Sequence, residues 1–533
     1  MQAQCLSFGN IPETSKLFLD FLYAFPNVSR YYSHPPLATV ELLKSEPPRQ
    51  SPKHRSQVAD VLTEQNRRWG ASEKTLSNIE LLRQGAGAIV TGQQVALFGG
   101  PAYTLYKALT AIKLAQRATE AGNTCVPIFW MATEDHDLLE VNHVFFPAMD
   151  GTLHRLATES HGVEDEPVGA IKLGEDVGPH VQWIKDNFGS SEVCSWLEEC
   201  YQSGSTFAEC FAGLLCRLFN EHGLIVVDPL DPRFHKIAAP LYSQVINQSQ
   251  ILNEQLLERN KELESGGYHA QVKVTESTSL LFAFKERQRI AIHRTNGAFE
   301  VGNQTLSPEQ LQGQIAEAPG RFSANALLRP VVQDYLFPTL AYIGGSAEVA
   351  YFAQSEVLYQ QLLGRTTPIL PRFSATLIEP RIAQWLDKYK LHVRDVMCSD
   401  AELQVELARK VLPGDFQQKL QESKGGLDEI LQPLTESLRR LDPTLAEAAE
   451  VASRKMHYQL ERIGEKAASA EVRRNGEIAR HASALSTALF PEGGLQERTV
   501  PWAYFLAKYG SNLAEQLREN IACECTDHQL ISL

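Results

Sequence analysis

What this sequence lacks removes several classes of protein. Nowhere in its 533 residues do about 18 apolar residues run together, so no membrane-spanning helix is expected. The opening MQAQCLSFGNIPETSKLFLDF has no basic flank leading into an apolar run, and a cytoplasmic protein is expected. An excess of positive charge is also missing. The net charge of -14 speaks against a nucleic-acid partner, because duplex binding depends on cations meeting phosphate, and favours a small-molecule one. Nine cysteines, an odd number over a long chain, do not form a disulfide framework. Cys210 and Cys216, in FAECFAGLLCRLF, read as core. Cys523 and Cys525 near His528 make only a lone CxC, and no metal site is assigned. Both common phosphate-loop formulas fail: no GK[ST] follows the glycines at 99 and 100, and the GxG of GAGAIV precedes its strand.

What is present is the balance of a folded chain, 43% apolar and 21% charged, long enough for more than one domain. Short runs apolar on both faces occur at 87–92 (GAIVTG), 126–132 (VPIFWMA), 223–229 (GLIVVDP), 340–345 (LAYIGG) and 368–378 (PILPRFSATLI), separated by helical patterns. Such runs predict a buried parallel sheet in an α/β, doubly wound core. Antiparallel insertions are expected at 144–175, within a connective segment of about 144–200 that includes GTLHRLA and VGAIKLG, and at 261–325. The core is expected over 1–385, a helical domain over 386–490, and a returning segment over 491–533. From Leu445 to Ala470 an apolar stripe recurs at spacings of three and four, and Ile478, Ala482, Leu485 and Leu489 resume it after a break, all between Pro443 and FPEGG. One helix of about 45 residues is predicted, paired with 401–441 as a coiled-coil hairpin that joins a homodimer.

Four motifs lie at the carboxyl edges of these strands, where α/β ligands bind. VTGQQVALFGGPAYTLYK offers Thr91, Gly92, Gln93, Gln94, Gly99, Gly100 and Lys107, with Pro101 as the first helical residue and the helix N-terminus as an anion site. ATEDHDLLEVNH gathers Glu134, Asp135, His136 and Asp137, with Asn142 and His143 following. Carboxylates so close together repel unless an ammonium, a ribose, a metal or a moving proton uses them. Any of Glu134, Asp135, His136 and Asp137 could be the general base, and His136, whose ordinary pKa lies nearest neutrality, is the one singled out for test. RPVVQDYLFPTLAYIGGSAEVAYFAQ contributes Arg329, Asp334, Tyr342, Gly344, Gly345, Glu348 and Tyr351; LPRFS contributes Arg372 as an anion ligand.

Together VTGQQVALFGGPAYTLYKALTAIKLA, PIFWMATEDHDLLEVNH, RPVVQDYLFPTLAYIGGSAEVAYFAQ and LLGRTTPILPRFSATLIE closely resemble the bacillithiol-biosynthesis cysteine-adding enzymes, over nearly the whole chain. The resemblance implies a Rossmann-like core related to class I aminoacyl-tRNA synthetases, connective insertions, a coiled-coil domain and a homodimer. It also implies transfer of the cysteine carboxyl to the amine of glucosaminyl-malate. The two histidines of the synthetase nucleotide signature are absent. ATP, with Mg2+, is expected because a carboxylate and an ammonium form no amide unaided. Two other readings fit the residues: a nucleotide-sensing assembly protein built around the coiled coil, and a nucleotidyltransferase whose Asp135 and Asp137 bind a divalent ion.

Overall fold

A computed structural model describes residues 2–148, 151–160, 162–522 and 524–533. Five strands form a parallel sheet in the order Ile369–Pro371, Thr339–Gly344, Gly87–Gln93, Cys125–Met131, Ile225–Val227. The Gly87–Gln93, Cys125–Met131 and Thr339–Gly344 strands are buried almost throughout, as helices on both faces require. Ala102–Glu120, which follows Gly87–Gln93, packs Leu114, Ala115 and Ala118 on Ile89, Ala341 and Ile343. Chain order reverses between Gly87–Gln93 and Thr339–Gly344: the chain runs outward to one side from the first and to the other side from the second. That reversal opens a crevice at the carboxyl ends of the two strands.

The Rossmann-like parallel core is thus as the sequence indicates, with differences in detail. The run 368–378 is not one strand. Ile369–Pro371 ends the parallel sheet, and Ala375–Ile378 belongs to a different sheet. The change of direction at Arg372–Ser374 places two side chains where the C-terminal segment meets them. An antiparallel five-stranded sheet occupies Thr278–Ala324 as expected, in the order Gln304–Leu306, Ala298–Val301, Gln288–Thr295, Thr278–Lys285, Phe322–Ala324. In the other insertion His143–Pro147 pairs with Leu153–Ala157. VGAIKLG, in contrast, forms a 3-10 turn at Val168–Ala170, because its backbone donors are taken by the acidic motif.

Two compact units result. One holds Met1–Ala148, Leu153–Thr376 and Glu497–Leu530; the other is chiefly Leu377–Gln496. In the second, Gly414–Leu441 and Pro443–Arg474 form a helical hairpin around Asp442, whose side chain caps the Thr444 amide. The single long helix is not formed. It breaks at Asn475, which leaves helical geometry and uses its side chain to cap Gly476–Leu489 through the Glu477 amide. Gly464 stays helical for a packing reason: a Cβ there would lie 3.0 Å from Leu420 on the opposing helix. Among the described residues no helix is long and apolar enough to cross a membrane.

Candidate functional site

The crevice at the reversal point is a cleft of about 580 Å3. Gly92, Gln93 and Gln94 form one wall, Glu134 and Asp135 another, and Arg329, Gly345, Glu348, Tyr351 and Arg372 line it further. The first and third motifs meet here because their strands are neighbours, with Val90 opposite Tyr342. Gly92 is required by a close approach: a Cβ would stand 2.8 Å from the Trp130 carbonyl oxygen of the next strand.

Lys107 and Glu348 lock the two halves together. The Lys107 ammonium donates to the Gly92 carbonyl (2.9 Å) and to Gln93 Oε1 (2.8 Å), and lies 2.5 Å from Glu348 Oε2. Glu348 accepts in addition from the Gly345 amide and from the Tyr342 hydroxyl, both at 2.7 Å. Burial pulls Lys107 down to about 8, against the pull of Glu348. Burial raises Glu348, but Lys107, the Gly345 amide and Tyr342 outweigh it and hold the carboxyl below its ordinary value. All three Lys107 donors are thereby engaged, so this lysine frames the cleft instead of gripping an anion.

Arg372 does meet an anion, but an internal one. Its guanidinium makes a two-pronged pair with Glu497, NH2 to Oε1 at 2.5 Å and NH1 to Oε2 at 3.0 Å. Glu497 also accepts from Ser374 Oγ and from the Ala375 amide, each at 2.9 Å. His528 bridges Ser374 and Thr376, pushed down to about 4 by burial. Both ring nitrogens of His528 are thus engaged away from Cys525. Cys525 instead lies 3.3 Å from Cys5, sulfur to sulfur, and these two with Asp527 bring three potential ligand atoms within 4.8 Å. Cys523 is outside the described residues. Cys210 and Cys216 are buried, and burial pushes each thiol up to about 12.

The acidic motif is pulled apart by its surroundings. Val168 and Gly169 donate backbone hydrogen bonds to the carbonyls of Asp135 (2.7 Å) and Thr133 (2.9 Å), which fixes the turn. Asp135 faces the cleft, accepting from Gln94 Nε2 at 2.8 Å through one oxygen and from the His136 amide at 2.8 Å through the other. Gln94 also donates to Glu140 (2.5 Å). Glu134 is buried, and burial raises its carboxyl to about 8 despite the opposing pull of Arg289. Asp137 does not line the cleft: it caps Leu138–Val141, accepting from the Glu140 amide. His136 does not line it either. Its Nδ1 lies 3.2 Å from an Arg289 nitrogen. A guanidinium only donates, so Nδ1 accepts and the ring proton sits on Nε2, which faces Asp165 at 3.9 Å. That tautomer has no free lone pair for a substrate proton, which argues against His136 among the four candidate bases.

Other expected ligands serve the frame. Thr91 donates to the Ile343 carbonyl across the strands (2.9 Å). Gly99 and Gly100 lie outside the cleft with φ of 84° and 76°. A side chain on Gly99 would enter the Trp502 indole, whose N-H donates to the Gly99 carbonyl at 2.8 Å. Pro101 precedes the helix, and the first helical amide, Ala102, is taken by the Val500 carbonyl (2.9 Å), so no anion is held at that N-H. Asn142 and His143 contact each other (3.2 Å) away from the cleft. Asp334 pairs with Arg365 at 2.7 Å. Tyr342 and Gly344 act through Glu348: the hydroxyl holds it, and a Cβ on the glycine would crowd its Cβ at 2.9 Å. Arg329 does reach the cleft, donating to the Tyr351 hydroxyl at 2.6 Å.

Two arginines were not singled out from sequence. Arg289 comes from the antiparallel insertion, stacks over Phe282 at 3.9 Å and donates to Ser323 Oγ and the Ala324 carbonyl. Arg498 comes from the returning segment and lines the same cleft. The first lies in a strand pattern and the second after a helical one, so neither carried a local motif.

Comparison with known proteins agrees with this architecture. Residues 1–373 match the family described as bacillithiol biosynthesis BshC, N-terminal Rossmann-like domain, and residues 375–533 match its C-terminal coiled-coil domain. The chain belongs to the BshC family. A relative from Koribacter versatilis (strain Ellin345), named "Putative cysteine ligase BshC", is 43% identical over the full length of both chains. Relatives of the same name from Solibacter usitatus (strain Ellin6076) and Bacillus cytotoxicus (strain DSM 22905 / CIP 110041 / 391-98 / NVH 391-98) are 36% and 28% identical, covering 100% of both chains in the first case and 90% of this chain and 91% of the relative in the second. A solved structure from Campylobacter jejuni, "Crystal structure of putative arginyl t-RNA synthetase", is similar over 85% of this chain and 98% of that one at 12% identity and a TM-score of 0.23.

Proposed function

We propose that this BshC-family protein is a ligase that joins the carboxyl of cysteine to the amine of glucosaminyl-malate, the amide-forming step of bacillithiol synthesis, with ATP and Mg2+. The observation that carries the reading is a cleft at the chain-reversal point whose lining includes both a carboxylate, Asp135, and the guanidinium groups of Arg329 and Arg498. Amide formation from a carboxylate and an amine needs both: cations for the anionic groups and an acceptor for the amine proton.

The cleft residues suit a nucleotide in charge and in backbone. Ser346 and Ala347, at the start of the Ser346–Leu363 helix, line it beside the arginines, and Glu140 is a carboxylate of the kind magnesium takes. The chemistry expected of bound ATP is activation of the cysteine carboxylate. In this reading Arg329 and Arg498 bind anionic groups of the substrates, and Arg can meet a carboxylate or phosphate with two parallel bonds. Asp135 accepts the proton of the attacking amine, held in place by Gln94 and by the His136 amide. Arg289 and His136 position that turn without touching substrate. Lys107 and Glu348 keep the two strand ends at fixed separation.

The test is incubation of the purified protein with cysteine, glucosaminyl-malate and ATP, followed by mass spectrometry of thiol product and nucleotide. The expected result is one amide-linked thiol product formed with nucleotide consumption. Absence of the product, or product without nucleotide consumption, refutes the corresponding half of the proposal.

A further inference from the structure

Behind the cleft lies a second, much smaller chamber of about 10 Å3, the space of one water-sized group. It shares Trp130, Glu134, Ala324 and Arg329 with the cleft, so the two spaces adjoin. Its remaining walls are largely apolar, among them Phe234, Val332 and Leu336. Three buried polar atoms belong to residues that line it, and none has a hydrogen-bond partner: Trp130 Nε1, Glu134 Oε1 and His235 Nε2. Glu134 Oε1 and His235 Nε2 stand 3.4 Å apart, and neither compensates the other. Buried polar atoms left without partners are destabilising, and three on the residues around one small space point to an occupant.

We propose that this chamber receives the side-chain thiol of the amino-acid substrate, with Trp130, Glu134 and His235 as its polar contacts and Phe234, Val332 and Leu336 as its apolar wall. The assignment rests on cysteine being a substrate. A thiol is a weak donor and a weak acceptor, so it meets an indole N-H and a carboxyl or imidazole acceptor at once. It also sheds its hydration more easily than a hydroxyl, which the apolar wall selects against. A methyl group would leave all three polar atoms unpartnered. The elevated carboxyl of Glu134 and the depressed imidazole of His235 keep both groups uncharged at neutral pH, as a neutral thiol requires. The charged ends of the amino acid stay in the cleft, near Arg329 and Asp135.

The test is calorimetric titration of L-cysteine, L-alanine and S-methyl-L-cysteine, under reducing conditions, into the full-length protein. Wild type is expected to bind cysteine at least about tenfold tighter than alanine. Val332→Leu, which fills the chamber, should weaken cysteine at least about tenfold, and Leu336→Ala, which enlarges it, should strengthen S-methyl-L-cysteine by a similar factor. Thermal unfolding identifies which variants are folded; if Val332→Leu is not, Leu336→Ala and the wild-type ranking decide. Equal binding of cysteine and alanine by wild type, or unchanged affinities in folded variants, means that the chamber holds a buried water alone and overturns the proposal. Amide formation is followed separately. Cysteine binding with the expected ranking but no amide product overturns the proposed reaction and leaves the chamber's assignment standing.

Discussion

Glu134 makes the stability of the protein depend on pH in a way that one substitution isolates. In the folded chain burial raises its carboxyl to about 8, against an ordinary value of 4.5. An acid whose folded pKa is raised contributes stability that is fully present below about 4.5 and is lost as pH rises to about 8. At pH 7 the folded protein holds a proton that the unfolded chain, titrating near 4.5, releases. Holding it against about 2.5 pH units costs about 3 kcal/mol. Glu134→Gln keeps the shape and never ionises, so it lacks this dependence. Urea unfolding of wild type and variant at several pH values between 4 and 9 measures it. Between pH 4.5 and 7 the wild type should lose about 3 kcal/mol more than the variant, with the two curves parallel above about pH 8. Comparing slopes cancels every other titrating group and any fixed offset from the new amide. A difference between the two that does not change with pH, or that grows in the wild type's favour as pH rises, refutes the placement of a buried, protonated carboxyl beside the cleft.

Glu497→Gln removes one side of the buried pair with Arg372 and should destabilise the protein by about 3 kcal/mol in the same assay; a loss under about 1 kcal/mol would mean that the pair is solvated. In the amide-forming assay Asp135→Asn should lower turnover at least about 100-fold, and His136→Ala less than tenfold. The reverse order would restore His136 as the base. The helical hairpin leaves Ile430, Leu434, Leu441, Leu445, Met456 and Ile463 exposed, so a homodimer through this surface is expected. Leu445→Glu combined with Ile463→Glu should halve the mass found by light scattering, and an unchanged dimeric mass would place the interface elsewhere.

How much was legible in the sequence depended on distance along the chain. Strands such as 126–132 showed themselves because a strand covered on both faces must be apolar at every position, which is a local signal. Turns that stop an element were weaker signals: nothing around Arg372 says that one apolar run serves two sheets, and the gap in the long stripe between Ala470 and Ile478, with Gly476 in it, only hints at the break. The cleft was half visible. Gln94, Asp135 and Gly345 follow strand ends, where position alone marks a ligand site, while Arg329 and Glu348 lie in the first turns of neighbouring helices. Their division of labour was hidden, because each partner that decides it is remote. Glu497 satisfies Arg372 across 125 residues, and Arg289 fixes the His136 tautomer across 153. Asp137 and Asp334 illustrate the converse: an acidic side chain near a site has ordinary uses as a helix cap or a buried ion-pair partner, and only the fold tells these apart.

The returning segment has a consequence for how the protein is made. Val500 caps the helix that starts at Ala102, Trp502 seats the Gly99 turn, and Glu497 and Arg498 complete the Arg372 side of the cleft. A ribosome adds roughly 400 residues between Ala102 and Val500, about 20 to 80 s of synthesis at ~5–20 residues/s. During that interval the parallel sheet can assemble, but the glycine turn lacks its indole and Arg372 lacks its carboxylate. Until Glu497–Trp502 emerge, the nascent chain therefore has an unfinished cleft wall, with the Arg372 guanidinium unpaired and the Gly99 turn unseated.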